Sequence, residues 1–414
     1  MATHVLSPFV PMILARRAKA GKEDPDRLAE RLVKGLPERP PGKLVWMHGA
    51  SVGEAQILLG LSELMAKRDG ELSFLFTSQT LTSSELVKGR ALPRTLHQMA
   101  PIDTPGASKR FIQHWHPELV VFAEGEIWPN LIRHIQKQGY PLALVNARMT
   151  EKSRMSWARW PRFAKRLFGA FDLILPADES TGKAIAKLSN QAVEAPANLK
   201  RGLPPPPVNA GEVARLKRSF VAERPCILAA STHDREEDLF MNAISDLQAD
   251  AAVILAPRHP ERGPLLAETL ENKGIPFAQR SAGQIPTKEH KVLLADTIGE
   301  MGLWYRLSDT VFLGGASVPN IGGHNPIEAL QFGKTLATGP YGFNFEALFE
   351  ELSHNGLLNI VADRNELAQA LERGLSIKTG ADRDAREAFL TKSAAPLEKA
   401  ADALLALLYH RIRL

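Results

Sequence analysis

Carboxylates at the junction of a predicted strand and a predicted helix are the residues of this chain best suited to chemistry. Residues 46–55, WMHGASVGEA, follow the first predicted strand and open a helix. This position places Glu54 beside backbone N–H groups and small residues that let a ligand approach. Glu54 could act on such a ligand or could only complement the helix dipole, and this segment alone favours the second interpretation.

The same turn carries a second possible chemistry, because Gly49 to Gly53 form a G-x-S-x-G sequence with Ser51 at its centre. On a strand, turn and helix, this pattern is the nucleophile elbow of α/β-hydrolases. Those enzymes need several strands and an oxyanion loop before the elbow, whereas this turn follows the first strand. The position therefore disfavours a serine hydrolase.

Two further acidic residues, Glu124 and Glu126, stand where another predicted strand ends, in the sequence FAEGEIWPN (122–130). Charge at the carboxyl end of a buried strand usually serves a site. Glu126 could instead cap the following helix, which Trp128 and Pro129 begin.

A basic stretch follows at residues 148–166, with seven Lys or Arg residues against one acidic residue, and four aromatic residues interleave with or follow it, Trp157, Trp160, Phe163 and Phe168. This amphipathic stretch, which includes Arg148, Arg159 and Arg162, could hold an anionic, partly apolar partner or could form a solvated helix face. Nucleic acid is a weaker interpretation, because no nucleic-acid-binding module accompanies the stretch.

In the second half of the chain, polar motifs again follow predicted strands. Residues 230–234 (ASTHD) and 256–262 (APRHPER) come directly after two of them, so both leave the same edge of one sheet. Arg258 and His259 could donate hydrogen bonds to a phosphate, although Arg258 could also form a surface salt bridge.

The strongest single signal is residues 314–329, GGASVPNIGGHNPIEA, in which glycines surround a polar turn before a helix. That pattern predicts a phosphate-binding nest at the helix N-terminus, and Glu328 in the first helical turn could accept ribose hydroxyls. Combined with Ser231, Arg258 and the DTIGE sequence at 296–300, it indicates a nucleotide-bearing donor in the second half.

The elements that would position these residues are βα units, because short apolar runs alternate with helical patterns along the chain. Residues 201–210, RGLPPPPVNA, contain four consecutive prolines and predict an extended linker. We therefore predict an α/β fold with two doubly wound, Rossmann-like domains, 1–203 and 204–414, facing an interdomain cleft. The predicted strands are 43–47, 72–77, 119–123, 142–146, 173–177, 226–230, 252–256, 291–295, 311–314 and 334–337.

Composition is that of a globular protein: 414 residues, 44% hydrophobic, 23% charged, with a net charge of +5. The single cysteine, Cys226, excludes intramolecular disulfides and zinc sites built from several cysteines, and its apolar neighbours predict a buried strand position. The apolar segment 4–14 is too short to span a membrane as a helix, so it either packs on the protein or makes a shallow membrane contact. The sequence offers no clear metal ligand set, and we expect a reaction without metal or cofactor.

Seven motifs resemble, in order, those of the Kdo transferases, bacterial enzymes that move 3-deoxy-D-manno-octulosonic acid (Kdo) from CMP-Kdo to a lipid A precursor. They are HGASVGE (48–54), EGEIWPNLI (124–132), VNARMTEKS (145–153), STHDREE (231–237), PRHPER (257–262), DTIGE (296–300) and GGHNPIEA (322–329). The resemblance implies a GT-B fold and an inverting transfer at the cytoplasmic face of the inner membrane of a Gram-negative bacterium. It also implies that the first domain binds a phosphorylated lipid A precursor and the second binds CMP-Kdo, without nucleic acid.

Residue by residue, the resemblance implies that Glu54 is the general base and that Ser51 and Gly53 shape its loop. Donor binding falls on Ser231, Thr232, His233, Arg258, His259, Gly322, Gly323, Asn325 and Glu328. From their positions and charge, we also expect Ser51, Gly53, Glu124, Glu126, Arg148, Arg159 and Arg162 on the acceptor side or in the cleft.

The sequence departs from the family pattern at two places. Asp234 and Arg235 stand where the family usually has Glu and Gly, and residues 197–200 keep only the end of a Gly-Asn-Leu-Lys pattern. Two alternatives stay open: a GT-B glycosyltransferase that uses another nucleotide sugar, and a non-catalytic module that binds nucleotide sugars.

Overall fold

The structure, a computed structural model, describes residues 9–21, 23–90, 93–376 and 381–410. The chain forms two compact units: unit 1 contains Met1–Leu203 and Ser393–Leu414, and unit 2 contains Pro204–Lys392. The polypeptide thus passes from unit 1 to unit 2 within the predicted proline-rich linker.

Unit 1 is built on six parallel strands: β1 (Leu44–His48), β2 (Ser73–Ser78), β3 (Thr95–Met99), β4 (Leu119–Ala123), β5 (Leu142–Ala147) and β6 (Leu173–Pro176). They lie in the order β3-β2-β1-β4-β5-β6. The strand order reverses direction between β1 and β4, and ligands of open α/β sheets bind outside the carboxyl ends of strands at such a switch point. The turns after β1, β4 and β5 are therefore neighbours at the place where a site is expected.

The helices of unit 1 are α1 (Val10–Lys19), α2 (Leu28–Arg31), α3 (Val52–Arg68), α4 (Leu81–Arg90), α5 (Pro105–Trp115), α6 (Pro129–Gln138), α7 (Glu151–Ala158), α8 (Pro161–Phe168) and α9 (Glu179–Ser189). Several begin at a side chain that accepts a backbone N–H of the first turn, as Ser51 does for α3 and Thr150 does for α7. Pro129 occupies the first turn of α6 as predicted.

Unit 2 contains seven parallel strands: β7 (Cys226–Thr232), β8 (Ala252–Pro257), β9 (Phe277–Gln279), β10 (Val292–Leu294), β11 (Thr310–Leu313), β12 (Thr335–Thr338) and β13 (Asn359–Ile360). Their order is β13-β12-β11-β7-β8-β10-β9. The turns after β11, β7 and β8 are adjacent, which brings the polar motifs of the second half to one edge. Cys226 is buried in β7, as its neighbours predicted.

The remaining helices are α10 (Ala210–Leu216), α11 (Glu236–Ser245), α12 (Gly263–Asn272), α13 (Met301–Leu307), α14 (Ile327–Gln331), α15 (Glu346–His354), α16 (Arg364–Ser376) and α17 (Ala381–His410). With the helices of unit 1 and two parallel sheets, they confirm the predicted α/β, doubly wound class.

The prediction that the second domain extends to residue 414 is wrong, because Ser393–Leu414 belongs to unit 1. Leu397, Leu404 and Leu408 of α17 are buried in the same hydrophobic cluster as strand β1. Pro396 lies inside α17 and has no N–H for the carbonyl four residues earlier, so the helical hydrogen bonds are interrupted near the change of unit.

The N-terminal apolar segment is described only from residue 9, so residues 4–8 of the predicted segment lie outside the described residues. Pro11 sits in the first turn of α1, where proline is tolerated, and so does not interrupt this helix. Leu14 is buried, whereas Phe9, Met12 and Ile13 are exposed. Among the described residues, no helix has the length and apolarity needed to cross a membrane.

Every predicted strand is present, with its ends shifted by at most two residues. The three strands that were not predicted are β3, β9 and β13, and each is the edge of its sheet. An edge strand has a neighbour on one side only and needs no continuous apolar run, so its sequence signal is weak.

Candidate active site

The N-terminus of α3 holds Glu54 in a fixed position. Ser51 Oγ accepts the Glu54 N–H at 3.3 Å and donates to Glu54 Oε1 at 2.8 Å. The Ala50 N–H donates to the other carboxylate oxygen at 2.7 Å. This is a variant of the capping box, in which the helix cap and the third helical residue satisfy each other. Glu54 remains 8% exposed, so its carboxylate is oriented and nearly dry.

Burial raises the pKa of Glu54, and the carboxylates of Glu126 and Glu124 add to the rise. The hydrogen bonds from Ala50 and Ser51 oppose it without cancelling it. A carboxylate whose pKa is raised toward neutrality is a better proton acceptor than an exposed glutamate. The helix-dipole interpretation alone does not account for a carboxylate buried beside two others.

The turn around Glu54 is closely packed at two glycines, and most tightly at Gly49. A Cβ at Gly49 would lie 2.9 Å from the Glu54 Cβ, closer than real side chains approach. A Cβ at Gly53 would lie 3.2 Å from the Lys200 Nζ. The glycines of the G-x-S-x-G sequence therefore let the loop pack against Glu54 and leave room for the Lys200 side chain. The Ser51 side chain caps α3, which agrees with the prediction that disfavoured a serine hydrolase.

Glu126 ends a chain of buried polar groups that starts inside the sheet. Trp46 Nε1 donates to Thr77 Oγ1 at 2.9 Å, and Thr77 Oγ1 lies 2.8 Å from His48 Nδ1. His48 Nε2 in turn donates to Glu126 Oε2 at 3.1 Å, as does Trp128 Nε1 at 2.8 Å. Burial acts to raise the pKa of Glu126, but the His48 and Trp128 hydrogen bonds outweigh it and lower the pKa. Glu126 is thus an ionised neighbour of Glu54.

The proposed helix-capping role of Glu126 is wrong. No side chain at the N-cap position caps α6, and the N–H groups of Asn130 and Leu131 donate instead to the Asp103 carboxylate. The carboxylate of Glu126 is used by the side chains behind the turn after β4.

Glu124 makes contacts that connect the site to residues 199–200, the last part of unit 1 before the linker. Lys200 Nζ lies 2.7 Å from Glu124 Oε1, and Asn146 Nδ2 donates to the same oxygen at 3.2 Å. Asn146 Oδ1 accepts the Leu199 N–H at 2.9 Å. Glu124 and Asn146 both have positive φ angles, of 52° and 50°, and such left-handed backbone at strand ends is typical of sites whose surroundings enforce it.

Lys200 was not predicted as a site residue, although it lies in the quoted segment 197–200. Its only sequence signal is the partial Gly-Asn-Leu-Lys pattern. Its contact with Glu124 depends on a 3₁₀ turn, Leu199–Gly202, that returns the chain to the end of β4, and no local pattern shows this.

The basic stretch forms α7, α8 and the turn between them, and Arg148, Arg159 and Arg162 are exposed. Trp160 and Phe163 are also exposed, at 69% and 47%. We call the surface made by Arg159, Trp160, Arg162 and Phe163 the α7–α8 surface. The expectation that all four aromatic residues interleave with the cations is wrong for Phe168, which is buried in the core of unit 1.

A groove of about 740 Å³ adjoins this surface between α7, α8 and α9. Its apolar lining includes Met155, Ala158, Pro161 and Leu188. Its charged lining consists of Arg154, Lys183, Lys187, Glu151 and Glu179, in which Arg154 pairs with Glu151 and Lys183 pairs with Glu179. An apolar groove beside exposed cations such as Lys187 suits a ligand that carries both acyl chains and phosphates.

In unit 2, the glycine-rich loop is organised by a carboxylate of the protein itself. The buried Glu236 accepts the N–H groups of His233, Gly315 and Ser317 at 2.7–2.9 Å. The N–H groups of Gly315 and Ser317 are therefore occupied by Glu236 and are not available to a phosphate in the predicted nest. Helix α14, which was expected to present its N-terminus to a phosphate, is only five residues long.

The other predicted loop residues stabilise the loop. Gly322 and Gly323 have φ angles of 93° and 85°, and a Cβ at Gly322 would lie 2.2 Å from Asn344 Nδ2. Asn325 Oδ1 accepts the Ile327 N–H at 3.2 Å. These three residues are therefore needed for the loop whatever they bind.

Thr232 also faces inward. It is fully buried, and its hydroxyl donates to Glu237 at 2.9 Å, so its side chain is not offered to a ligand. Ser231, the residue before it, has a φ angle of 55° and marks an irregularity in the pairing of β7 with β8. The turn after β7 thus exposes His233 rather than Thr232.

Four groups that can bind an anion converge at this edge. His233 lies 5.5 Å from His259 between ring centroids, and its Nε2 lies 2.9 Å from the Nε2 of His324. Arg258 is exposed, and within the described residues no ion pair involves its guanidinium, so the alternative of a surface salt bridge is wrong. Burial raises the pKa of the nearby Glu328, and Arg258 opposes that rise.

His324 was not predicted as a site residue, although it lies within the quoted glycine-rich sequence. Its ring packs on the backbone of the loop, since a Cβ at Gly315 would lie 2.7 Å from His324 Cδ2. Its pairing with His233 joins two loops 91 residues apart in sequence, which explains why the local pattern did not show it.

Comparison with known proteins identifies the family. Residues 26–202 match the family described as 3-deoxy-D-manno-octulosonic-acid transferase (kdotransferase). The 3-deoxy-D-manno-octulosonic acid transferase of Haemophilus influenzae is 32% identical over 364 residues, which cover 86% of this chain and 85% of that protein. The chain belongs to the Kdo transferase family. The 3-deoxy-D-manno-octulosonic acid transferase of Bordetella pertussis is also 32% identical to this chain, over 90% of each protein.

A solved glycosyltransferase from Rickettsia africae shares the fold, with a TM-score of 0.56 at 13% identity over 90% of this chain and 100% of that one. With the two parallel sheets, this likeness confirms the GT-B fold. Membership of the Kdo transferase family confirms the predicted glycosyltransferase.

Proposed function

We propose that this chain transfers Kdo from CMP-Kdo to a phosphorylated lipid A precursor, with Glu54 as the general base. The observation that carries the assignment of the base is the buried carboxylate held by Ser51 and Ala50 in a member of this family. Its raised pKa allows it to accept a proton from a sugar hydroxyl as that oxygen attacks.

The reaction forms a bond between an acceptor oxygen and the anomeric carbon of Kdo and breaks the bond from that carbon to the CMP phosphate oxygen. The hydroxyl proton passes to Glu54, and CMP leaves with the electron pair of the broken bond. Attack from the face opposite CMP inverts the anomeric centre. The Arg258 guanidinium and the imidazoles beside it would balance the charge that develops on the departing phosphate.

The acceptor would bind to unit 1 through the α7–α8 surface and its groove. Exposed arginines can bind the phosphates of the acceptor bidentately, and the apolar lining between α7 and α9 can hold acyl carbons. Glu124 and Glu126 remain in this proposal as the acidic residues that surround the base, and Arg148 as a basic residue at the end of β5.

Placement at the inner-membrane surface is supported by helix α1. Phe9, Met12 and Ile13 are exposed, and Arg16 and Lys19 follow in the last turn, where Arg17 instead pairs with Glu23. This is the composition of a helix that lies in the interface with its cations on lipid headgroups. A membrane position on the cytoplasmic face would bring the enzyme to an acylated acceptor.

The test is release of CMP from CMP-Kdo in the presence of a tetra-acylated, phosphorylated disaccharide acceptor. The wild-type chain should release CMP only when both substrates are present. Glu54→Gln should retain CMP-Kdo binding and lose turnover by about two or more orders of magnitude. Glu63→Gln is the matched control, because Glu63 lies on the same helix and pairs with Arg90 away from the site.

Near wild-type turnover of Glu54→Gln would overturn the assignment of the base. Stronger thermal stabilisation by a UDP-sugar than by CMP-Kdo would favour another nucleotide sugar as donor. Binding of CMP-Kdo without product on prolonged incubation would favour a non-catalytic module.

A further inference from the structure

The two histidines at the edge of unit 2 meet edge to edge. Their Nε2 atoms are 2.9 Å apart, the ring planes differ by only 14°, and the ring centroids are 5.1 Å apart. Stacked rings would bring the centroids closer together than this, whereas here the nitrogens point at each other and the centroids lie behind them. The contact is therefore an N–H···N hydrogen bond with one hydrogen between His233 and His324.

The surroundings decide which histidine donates. The Ser231 carbonyl is a hydrogen-bond acceptor for the His324 ring, so the nitrogen facing it carries a hydrogen. Since His324 Nε2 is engaged with His233, we assign this hydrogen to His324 Nδ1. In the uncharged pair, His324 Nε2 is then the acceptor and His233 Nε2–H is the donor. His233 Nδ1 is left as the bare nitrogen of the pair.

The charged groups that face the pair are mostly cationic. Arg258 and His259 face both rings, and Arg262 and Glu237 face His233. Glu237 is already bound by Thr232 and by Arg262.

Burial, with the neighbouring His233, Arg258 and His259, lowers the pKa of His324 to about 4. Burial, then His259 and Arg258, also lower the pKa of His233. The free protein at neutral pH therefore holds an uncharged pair, next to a guanidinium without an ion-pair partner among the described residues.

We infer that binding of an anionic oxygen of CMP-Kdo adds one proton to this pair, at His233 Nδ1, so that the pair becomes a cationic donor to the ligand. The proton comes from the solvent, and no covalent bond of the donor changes. This inference rests on the proposed donor, and it assigns His233 as a binding residue and His324 as its positioning residue.

An anion beside the pair would favour its charged form, just as Arg258 and His259 now disfavour it. The bound state then holds more protons than the free state. CMP-Kdo affinity therefore rises as pH falls from the pKa of the pair in the complex to its pKa in the free protein. An enzyme that bound the donor with Arg258 alone would show no such dependence near neutral pH.

Titration calorimetry with CMP-Kdo, without acceptor, tests the inference. At one pH near neutrality, the binding enthalpy is measured in PIPES, HEPES and Tris, which differ in ionisation enthalpy. A wild-type chain that takes up a proton gives an observed enthalpy that rises with the ionisation enthalpy of the buffer. The slope is the number of protons taken up and should be positive, up to one.

His233→Gln separates the charge from the shape. The Gln amide can still donate to His324 Nε2, but it cannot accept a proton. We expect a slope near zero, CMP-Kdo binding weakened by roughly tenfold or more at neutral pH, and an unchanged unfolding temperature. His354→Gln is the matched control, because His354 is exposed at the end of α15, and it should keep the wild-type slope.

The outcomes distinguish the two proposals. Binding of CMP-Kdo to the wild-type chain with a slope of zero, or an unchanged slope in His233→Gln, would overturn the inference and leave the proposed donor in place. An absence of any CMP-Kdo binding would overturn both.

Discussion

Glu54 combines burial with two hydrogen-bond donors on its own turn. Burial raises its pKa, and the Ser51 hydroxyl and the Ala50 N–H limit the rise. A base must be deprotonated to act, so the turnover of the enzyme should fall as pH drops through this raised pKa.

Ser51→Ala tests that balance. The substitution removes the hydroxyl that stabilises the ionised carboxylate, so the pKa of Glu54 should rise further. The acidic limb of the kcat/KM profile should move to higher pH, with a stability loss of about 1 kcal/mol from the missing helix cap.

Ser62→Ala is the control for this change. Ser62 is buried on the same helix and donates to the Leu59 carbonyl, so its loss should leave the limb in place. A limb that stays fixed in Ser51→Ala, with turnover intact, would show that another group limits the rate at low pH.

Among single residues, the sequence predicted one partner of each contact between distant segments and missed the other. Glu54, Glu126 and His233 were predictable because a polar residue directly after an apolar run lies at a strand end. Lys200 and His324 were not, because their roles depend on contacts with residues 76 and 91 positions away in sequence. The occupied nest was likewise unpredictable, since nothing local shows that Glu236 binds Gly315.

At the scale of the element, helix α11 begins in a strained way. Arg235 precedes it with φ 71° and ψ −19°, a left-handed conformation that favours glycine. The resemblance in the sequence implied Gly at this position, and the structure shows that Arg235 has the left-handed backbone that suits Gly. The strain is tolerated because Glu236, the next residue, is fixed by Gly315 and Ser317.

Arg235→Gly should relieve this strain and stabilise unit 2 by about 0.5–1 kcal/mol. Hydrogen exchange of the β7 amides, measured by mass spectrometry, reports the change. Arg235→Ala is the control, because it removes the same exposed side chain and keeps a Cβ, so it should give no gain. An equal gain in both variants would assign the effect to the side chain.

The α7–α8 surface makes a separate prediction. Reversal of two charges, Arg159→Glu with Arg162→Glu, should raise the KM for the phosphorylated acceptor several-fold and leave the KM for CMP-Kdo unchanged, because exposed cations there would bind phosphate. The control is Lys217→Glu with Arg218→Glu, which makes the same charge change on an exposed segment of unit 2. Equal changes in acceptor KM for both pairs would show a non-specific charge effect.

Central elements were predictable for a physical reason that edge elements lack. Strands such as β1 and β4 are buried on both faces and must be apolar throughout, so their sequences identify them. Strand β3 is only partly buried, and its sequence, TLHQM, mixes polar with apolar residues. Its pairing with β2 is decided by the sheet and not by its own pattern.

For the whole molecule, the sequence predicted where the chain leaves unit 1 and not that it returns. A proline run is visible locally, whereas α17 is a continuous helical pattern whose last part belongs to a different core from its first. The apolar residues of 397–408 look alike from sequence whichever unit they cover. Only the hydrophobic cluster that they join, with β1 and α3, assigns them.

Because the last part of α17 packs in unit 1, we predict that a core substitution there destabilises unit 1 selectively. Leu404 is fully buried in the cluster with β1, so Leu404→Ala should cost unit 1 about 2–5 kcal/mol. Hydrogen exchange should then accelerate in the amides of β1 and α3 and stay slow in β7 and β8, because the two cores are separate.

Leu371→Ala is the matched control in unit 2, because Leu371 is equally buried in the cluster that includes β7 and β8. It should accelerate hydrogen exchange in β7 and β8 and leave exchange in β1 unchanged. Uniform acceleration in either variant would mean that the two units unfold as one cooperative body, and that the carboxyl-terminal helix couples them more strongly than the separation of their cores implies.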